Sequence, residues 1–284
     1  MNRISISQAW AYATSFFSGQ AANHAIALIG VGIVIPFVLQ FALGGGTAMV
    51  DPTGASASVG FAAVGALAIV LGLLNYVLQT GSYFASWRIG LTNGAEPLGS
   101  ALGYGLIASL PILGLLFVVI MVFGILGFIV FGGALMTMIG GGQPSPESIA
   151  TGGVAMLLLF PVFLFLALWL GARFSCTGPI MADQRSFNII GALGESWRMT
   201  AASQWKIMGY FVLIGIVLFV LVMIVGMVAG VSMFAAGGVP SAGSMVGLVV
   251  GMILLSIPMA YLQVAVPAGI YRALGAGDTS SVFA

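Results

Sequence analysis

Charge is what this sequence has least of. Acidic and basic residues fill only 5% of its 284 positions, against about a quarter in an ordinary soluble domain, so composition excludes a water-soluble fold. One histidine and one cysteine, Cys176, leave no internal disulfide to form and little from which to build a metal cage or a nucleophile with its base. Paired histidines at helical spacing, carboxylate clusters and a phosphate-cradling glycine loop are all missing. The chain therefore reads as non-enzymatic, with no cofactor, no metal and no nucleic-acid partner.

Long apolar runs are what the sequence does have. Crossing the hydrocarbon layer as a helix takes about 20 mainly apolar residues. Six stretches meet that length, near 23–43, 59–81, 106–135, 152–174, 205–234 and 244–271. They show no two-residue alternation of the kind a membrane barrel needs. The expected fold is an all-α integral membrane protein, a single transmembrane domain over 1–284. Pro36, Pro111, Pro161, Pro258 and Pro267 fall inside these stretches and are read as kinks, because neighbouring helices can satisfy the backbone groups that proline frees. The first span starts too late and runs too long for the apolar core of a cleaved signal and is expected to stay attached.

The seven basic residues give the orientation. Arg3 precedes span one, Arg88 follows span two, Arg173 and Arg185 follow span four, Arg198 and Lys206 precede span five, and Arg272 closes span six. All fall on one side, which the positive-inside rule assigns to the cytoplasm together with both termini. The opposite loops, 44–58, 139–151 and 235–243, hold no Lys or Arg and only Asp51 and Glu147. Their Gly, Pro and Ser content reads as chain-reversing turns.

Spans two, four and six each end on an arginine, at Arg88, Arg173 and Arg272, and the plain reading of each is a side chain reaching to the headgroups. Spans one, three and five are each preceded by a segment of amphipathic character. In the first, Ser5 and Gln8 form a capping-box pattern ahead of a stripe of Ile6, Ala9, Trp10, Ala13 and Phe17. In the last, Ser186 is the expected cap and Ile190, Leu193, Trp197 and Ala201 form the stripe, whereas the middle segment, Glu96 to Tyr104, keeps only Leu98 and Leu102. Superposing Trp10, Tyr104 and Trp197 gives three helix–span–span units, each about a third of the chain.

Ionisable residues are missing from the middles of the spans, which speaks against ion-coupled transport. The polar residues there are Asn75 and Gln79 in span two and Gln263 in span six, read first as interhelical hydrogen-bonding groups and second as a path for a neutral or zwitterionic substrate. His24 reads as a headgroup-level residue. Gly226 and Gly230 in span five, with Gly243, Gly247 and Gly251 in span six, repeat at four-residue spacing and are expected to pack the two spans as a hairpin, with a dimer interface as the alternative.

The stretch GARFSCTGPIMADQRSFNIIGALGESWRMTAASQWKIMGYFVLIG, with its Arg173, Trp197, Arg198 and Trp205, resembles the bacterial membrane-domain family found fused to glycerophosphoryl diester phosphodiesterases, and stand-alone YciC-like inner-membrane proteins. The resemblance implies a six-helix protein of the bacterial cytoplasmic membrane, without the catalytic domain that performs hydrolysis in fused members. The expected role is a scaffold or envelope-maintenance factor. It would act through membrane lipids, anionic headgroups among them, or through a protein partner at the cytoplasmic face, with Arg88, Arg173, Arg185, Trp197, Arg198, Lys206 and Arg272 as the contact residues. The alternative is a small transporter or lipid-handling channel.

Overall fold

The computed structural model describes the backbone of residues 4–45, 57–139, 146–235 and 242–279. Among these residues every regular element is helical. A short helix, α1 (Ile6–Ser15), leads into the first span, which winds as α2 (Ala21–Ala25), a π-helical stretch Ile26–Val34, α3 (Ile35–Gln40) and a second π stretch Phe41–Gly45. Pro36 sits directly after the longer π stretch; it has no N–H to return, and its ring crowds the carbonyl one turn back, a conflict that wider winding relieves. The other spans are α4 (Ala57–Leu91), α5 (Leu98–Ile139), α6 (Pro146–Phe174), α9 (Gln204–Ala235) and α10 (Ala242–Thr279). Between α6 and α9 lie α7 (Thr177–Gln184), α8 (Ile189–Thr200) and a single 3₁₀ turn. Six helical segments are long and apolar enough to cross a bilayer.

The expected spans are recovered, and the helices outrun them. Helix α4 continues past residue 81 to Leu91, and α5 runs unbroken for 42 residues through Pro111. At 1.5 Å per residue α5 is roughly 60 Å long, about twice the hydrocarbon thickness. The first turns of α5 lie at the charged end of the molecule, where Ser100 meets Glu96. The middle amphipathic segment is accordingly not a separate helix but the first turns of α5. Helices α6 and α10 also continue through Pro161, Pro258 and Pro267.

The two predicted caps are corrected. Ser5 makes no capping hydrogen bond to α1 and instead meets the Ser7 hydroxyl at 2.8 Å. Helix α8 is capped by Asn188, whose Oδ1 accepts from the Gly191 N–H at 3.0 Å, while Ser186 Oγ accepts from the Asn188 N–H.

The core lies at the end where the charges are. Phe84, Ile89, Ile180, Met181, Ile207, Val264 and Ile270 are fully buried there, together with the small residues Ala9, Ala101, Ala108, Ala172 and Ala268. Two glycines permit the closest backbone approaches. A Cβ on Gly105 of α5 would overlap the Gly81 carbonyl oxygen of α4, and one on Gly269 of α10 would overlap the Ala9 carbonyl of α1. Farther along α5, α6 and α9, apolar side chains such as Phe117, Leu157 and Phe219 are exposed, as a bilayer-facing surface requires.

Candidate functional site

The polar rim is organised by the turn between α4 and α5. Asn93 and Gly94 take φ of +52° and +76°, and the Gly94 N–H returns to the Ile89 carbonyl at 2.9 Å, a left-handed helix ending for which glycine is suited. That reversal brings Glu96 back over Arg88, and the two form an ion pair. Ser100 Oγ donates to the same carboxylate at 2.7 Å, and Arg185 approaches it at 3.7 Å. The Glu96 side chain is only 9% exposed. Burial would raise its pKa, but hydrogen bonds from Ser100 and Arg88 and the charges of Arg88 and Arg185 outweigh burial and hold the carboxyl below its ordinary range.

Helix α7 ties the three units together. Arg88 of the first unit donates to the Ala182 and Asp183 carbonyls at 2.9 Å, where the dipole of α7 favours a cation. Tyr104 of the second donates to the Met181 carbonyl at 2.6 Å, and Tyr271 of the third to Asp183 Oδ2 at 2.7 Å. Beneath them the Trp87 ring lies against Gly178, with its indole N–H on the Val264 carbonyl at 2.8 Å.

The three span-ending arginines meet three different fates. Arg88 is neutralised. Arg173 is 6% exposed, with its guanidinium 3.9 Å over the Trp197 ring, and its Nε and Nη1 have no hydrogen-bond partner among the described residues. Arg272 donates to the Gly90 carbonyl at 2.7 Å and to Asn93 Oδ1 at 3.5 Å, with no ion pair among the described residues. Arg88 and Arg173 thus turn inward instead of reaching freely to headgroups. Of the remaining basic residues, Arg3 lies outside the described residues, Arg185 and Arg198 are exposed, and Lys206 donates to the Ile4 carbonyl at 3.2 Å. All seven predicted contact residues fall at this one end of the bundle.

The other predicted residues do not form a second site. Asn75 is half-buried in a shallow hollow with Pro36, Leu39 and Gln40, whereas Gln79 and Gln263 are exposed. Gly251 approaches Val225, where a Cβ would come within 3.3 Å, but a Cβ on Gly226 would meet nothing within 4 Å. The surroundings of Gly230, Gly243 and Gly247 lie outside the described residues. His24 is corrected outright. It is fully buried against Phe16 and Phe17, with Nδ1 2.6 Å from the Ser86 hydroxyl. No group of three His, Cys, Asp or Glu able to hold a metal occurs among the described residues.

Six apolar helices closed at one end by a polar rim define a multi-pass integral membrane protein. Over residues 146–273, from α6 to the end of the last span, the chain matches the family described as the membrane domain of glycerophosphoryl diester phosphodiesterase. The match is wider than the stretch that first suggested it, and it is to the membrane domain alone. No curated protein and no solved structure matches the chain.

Proposed function

We propose that this chain is a non-enzymatic scaffold of the bacterial cytoplasmic membrane, acting through anionic lipid or a protein partner at a cytoplasmic working face, the rim. One observation carries the reading: the described basic residues converge at one end of the bundle, where the carboxylate of Glu96 already serves two arginines and Arg173, Arg198 and Arg272 have no carboxylate partner among the described residues. Basic residues at this depth favour anionic lipid by about 1 kcal/mol each. Both termini lie on the cytoplasmic side in this reading, as the positive-inside rule requires.

Purification of the full chain in native nanodiscs, with mass spectrometry of the lipids and proteins it carries, tests the role. Replacing Arg185, Arg198 and Lys206 together by Gln should lower the yield of anionic lipid or of one recurrent protein while the chain stays folded. Unchanged lipid and protein content would remove the scaffold reading. The orientation is tested separately, with reporter cysteines at Ser145 and Ser280 in a Cys176→Ser background. The first should react with an impermeant reagent from outside the cell and the second should not; the reverse would invert the rim.

A further inference from the structure

We infer that the pocket beside Arg272 is a binding site for a phosphate-bearing anion. The pocket has a volume of about 210 Å³ and lies between the turn that follows α1, the end of α4 and the end of α10. That is below the roughly 300 Å³ at which drug-sized pockets begin, so it suits a phosphate with a short polar substituent and not an acyl chain.

Its donors come from Arg272, Asn93 and Gln20, whereas the hydroxyls of Ser15 and Ser18 at its edge donate to the Tyr12 and Ser15 carbonyls. The Arg272 guanidinium is anchored by one nitrogen, Nη2, on the Gly90 carbonyl and Asn93 Oδ1, which fixes its plane and leaves Nε and Nη1 without a hydrogen-bond partner among the described residues. Asn93, bound through its oxygen, keeps its amide N–H groups available, and Gln20, whose Oε1 accepts from Asn23 at 2.7 Å, is in the same position. Among the described residues no carboxylate lines the pocket. The Phe16 ring, 5.5 Å from the guanidinium carbon, closes one wall and lowers the local dielectric, which strengthens any charge held there. A planar fork flanked by two neutral amides matches the oxygens of a phosphate better than it matches a point anion.

Arg272 closes the sixth span, so the pocket sits at the depth of lipid phosphates, and the same chemistry is offered by a soluble phosphate ester. The lipid source rests on the scaffold reading; the soluble source does not.

Two measurements on the full chain separate them. In detergent, thermal melting is followed against inorganic phosphate and glycerol 3-phosphate, with chloride at matched ionic strength as reference. In nanodiscs, native mass spectrometry compares retained phosphatidylglycerol with phosphatidylcholine. Stabilisation by the soluble phosphates assigns a soluble ligand, and selective retention of phosphatidylglycerol assigns a lipid headgroup. In whichever arm responds, Arg272→Gln should weaken binding by about tenfold or more, the loss expected for a charged hydrogen-bonding pair, and Arg272→Lys should restore part of it. If Arg272→Gln does not fold, Gln20→Leu carries the test, with a smaller loss expected. No response in either arm, or equal response in wild type and variants, would overturn the site. Loss of lipid in the Arg185, Arg198 and Lys206 variant with phosphate binding intact would show that the two proposals stand or fall separately.

Discussion

Gly105 and Gly114 belong to the same helix, and the space around them differs completely. A side chain at Gly105 would strike the backbone of α4, whereas at Gly114 it would meet nothing within 4 Å. The difference separates two regions of the molecule, a rim where helices touch backbone to backbone and outer span segments whose side chains face outward. Lipid tails are as apolar as leucine, so burying leucine against leucine in a bilayer brings little, and association must come from close packing and hydrogen bonds. Here both are concentrated at the rim.

The largest expected effect tests that division directly. Gly105→Leu should cost more than about 3 kcal/mol, because the atoms it strikes are backbone and cannot swing aside. Gly114→Leu should leave melting in detergent almost unchanged. Equal losses for the two would erase the distinction between rim and outer spans.

Next comes the charge at the centre of the rim. Glu96→Gln deprives Arg88 and Arg185 of their shared carboxylate and should cost about 2 kcal/mol at neutral pH, in line with hydrogen bonds to charged groups. The pH dependence has a definite sign. The folded-state pKa of Glu96 is depressed, so its contribution is complete above the ordinary carboxyl value of about 4.5 and is lost as pH falls through the lower folded value. Wild type and Glu96→Gln should therefore converge in melting temperature under acid and diverge at neutral pH. A constant gap would mean that the carboxylate is not the source of the effect.

A smaller loss, about 1 kcal/mol for the pair, is expected from Ser196→Ala with Thr200→Val. Both hydroxyls donate to the Arg173 carbonyl, at 2.8 Å and 3.0 Å, and close the end of α6. Smaller still should be the loss from Gly251→Leu, whose new side chain asks Val225 to yield by a few tenths of an ångström, a cost under about 1 kcal/mol. Gly226→Leu should cost nothing measurable; if it proves the worse of the two, the α9–α10 contact runs along a different face.

Hydropathy made the spans and the charged side legible, because length and charge asymmetry are properties of the chain that lipid reads directly. Helix α8 shows where that reading stops. Of its apolar stripe Ile190 is 72% exposed and Leu193 and Trp197 are half-buried, whereas its small and polar face of Ala192, Ser196 and Thr200 is buried. In water an amphipathic helix turns its apolar face inward; beside lipid the same pattern takes the opposite sense. The same inversion explains His24, whose polarity suggested a place at the headgroups but which lies inside against Ser86. Helix α7 gave no periodic signal because eight residues packed on nearly every side have no contrasting faces. The Arg272 pocket joins residues from three distant segments, a juxtaposition no local pattern carries.

The seating of α1 on α10 sets an order of assembly. Ala9 and Ala13 of α1 lie against Gly269, and the Ile4 N–H donates to Ser203 Oγ at 3.1 Å, so an early segment of the chain is held by two late ones. During synthesis α1 must wait at the membrane surface until the sixth span has been inserted, with its docking face uncovered throughout. Closure of the rim is thus a final act of biogenesis, and a chain arrested before Gly269 would keep its inserted spans while leaving its first helix unseated.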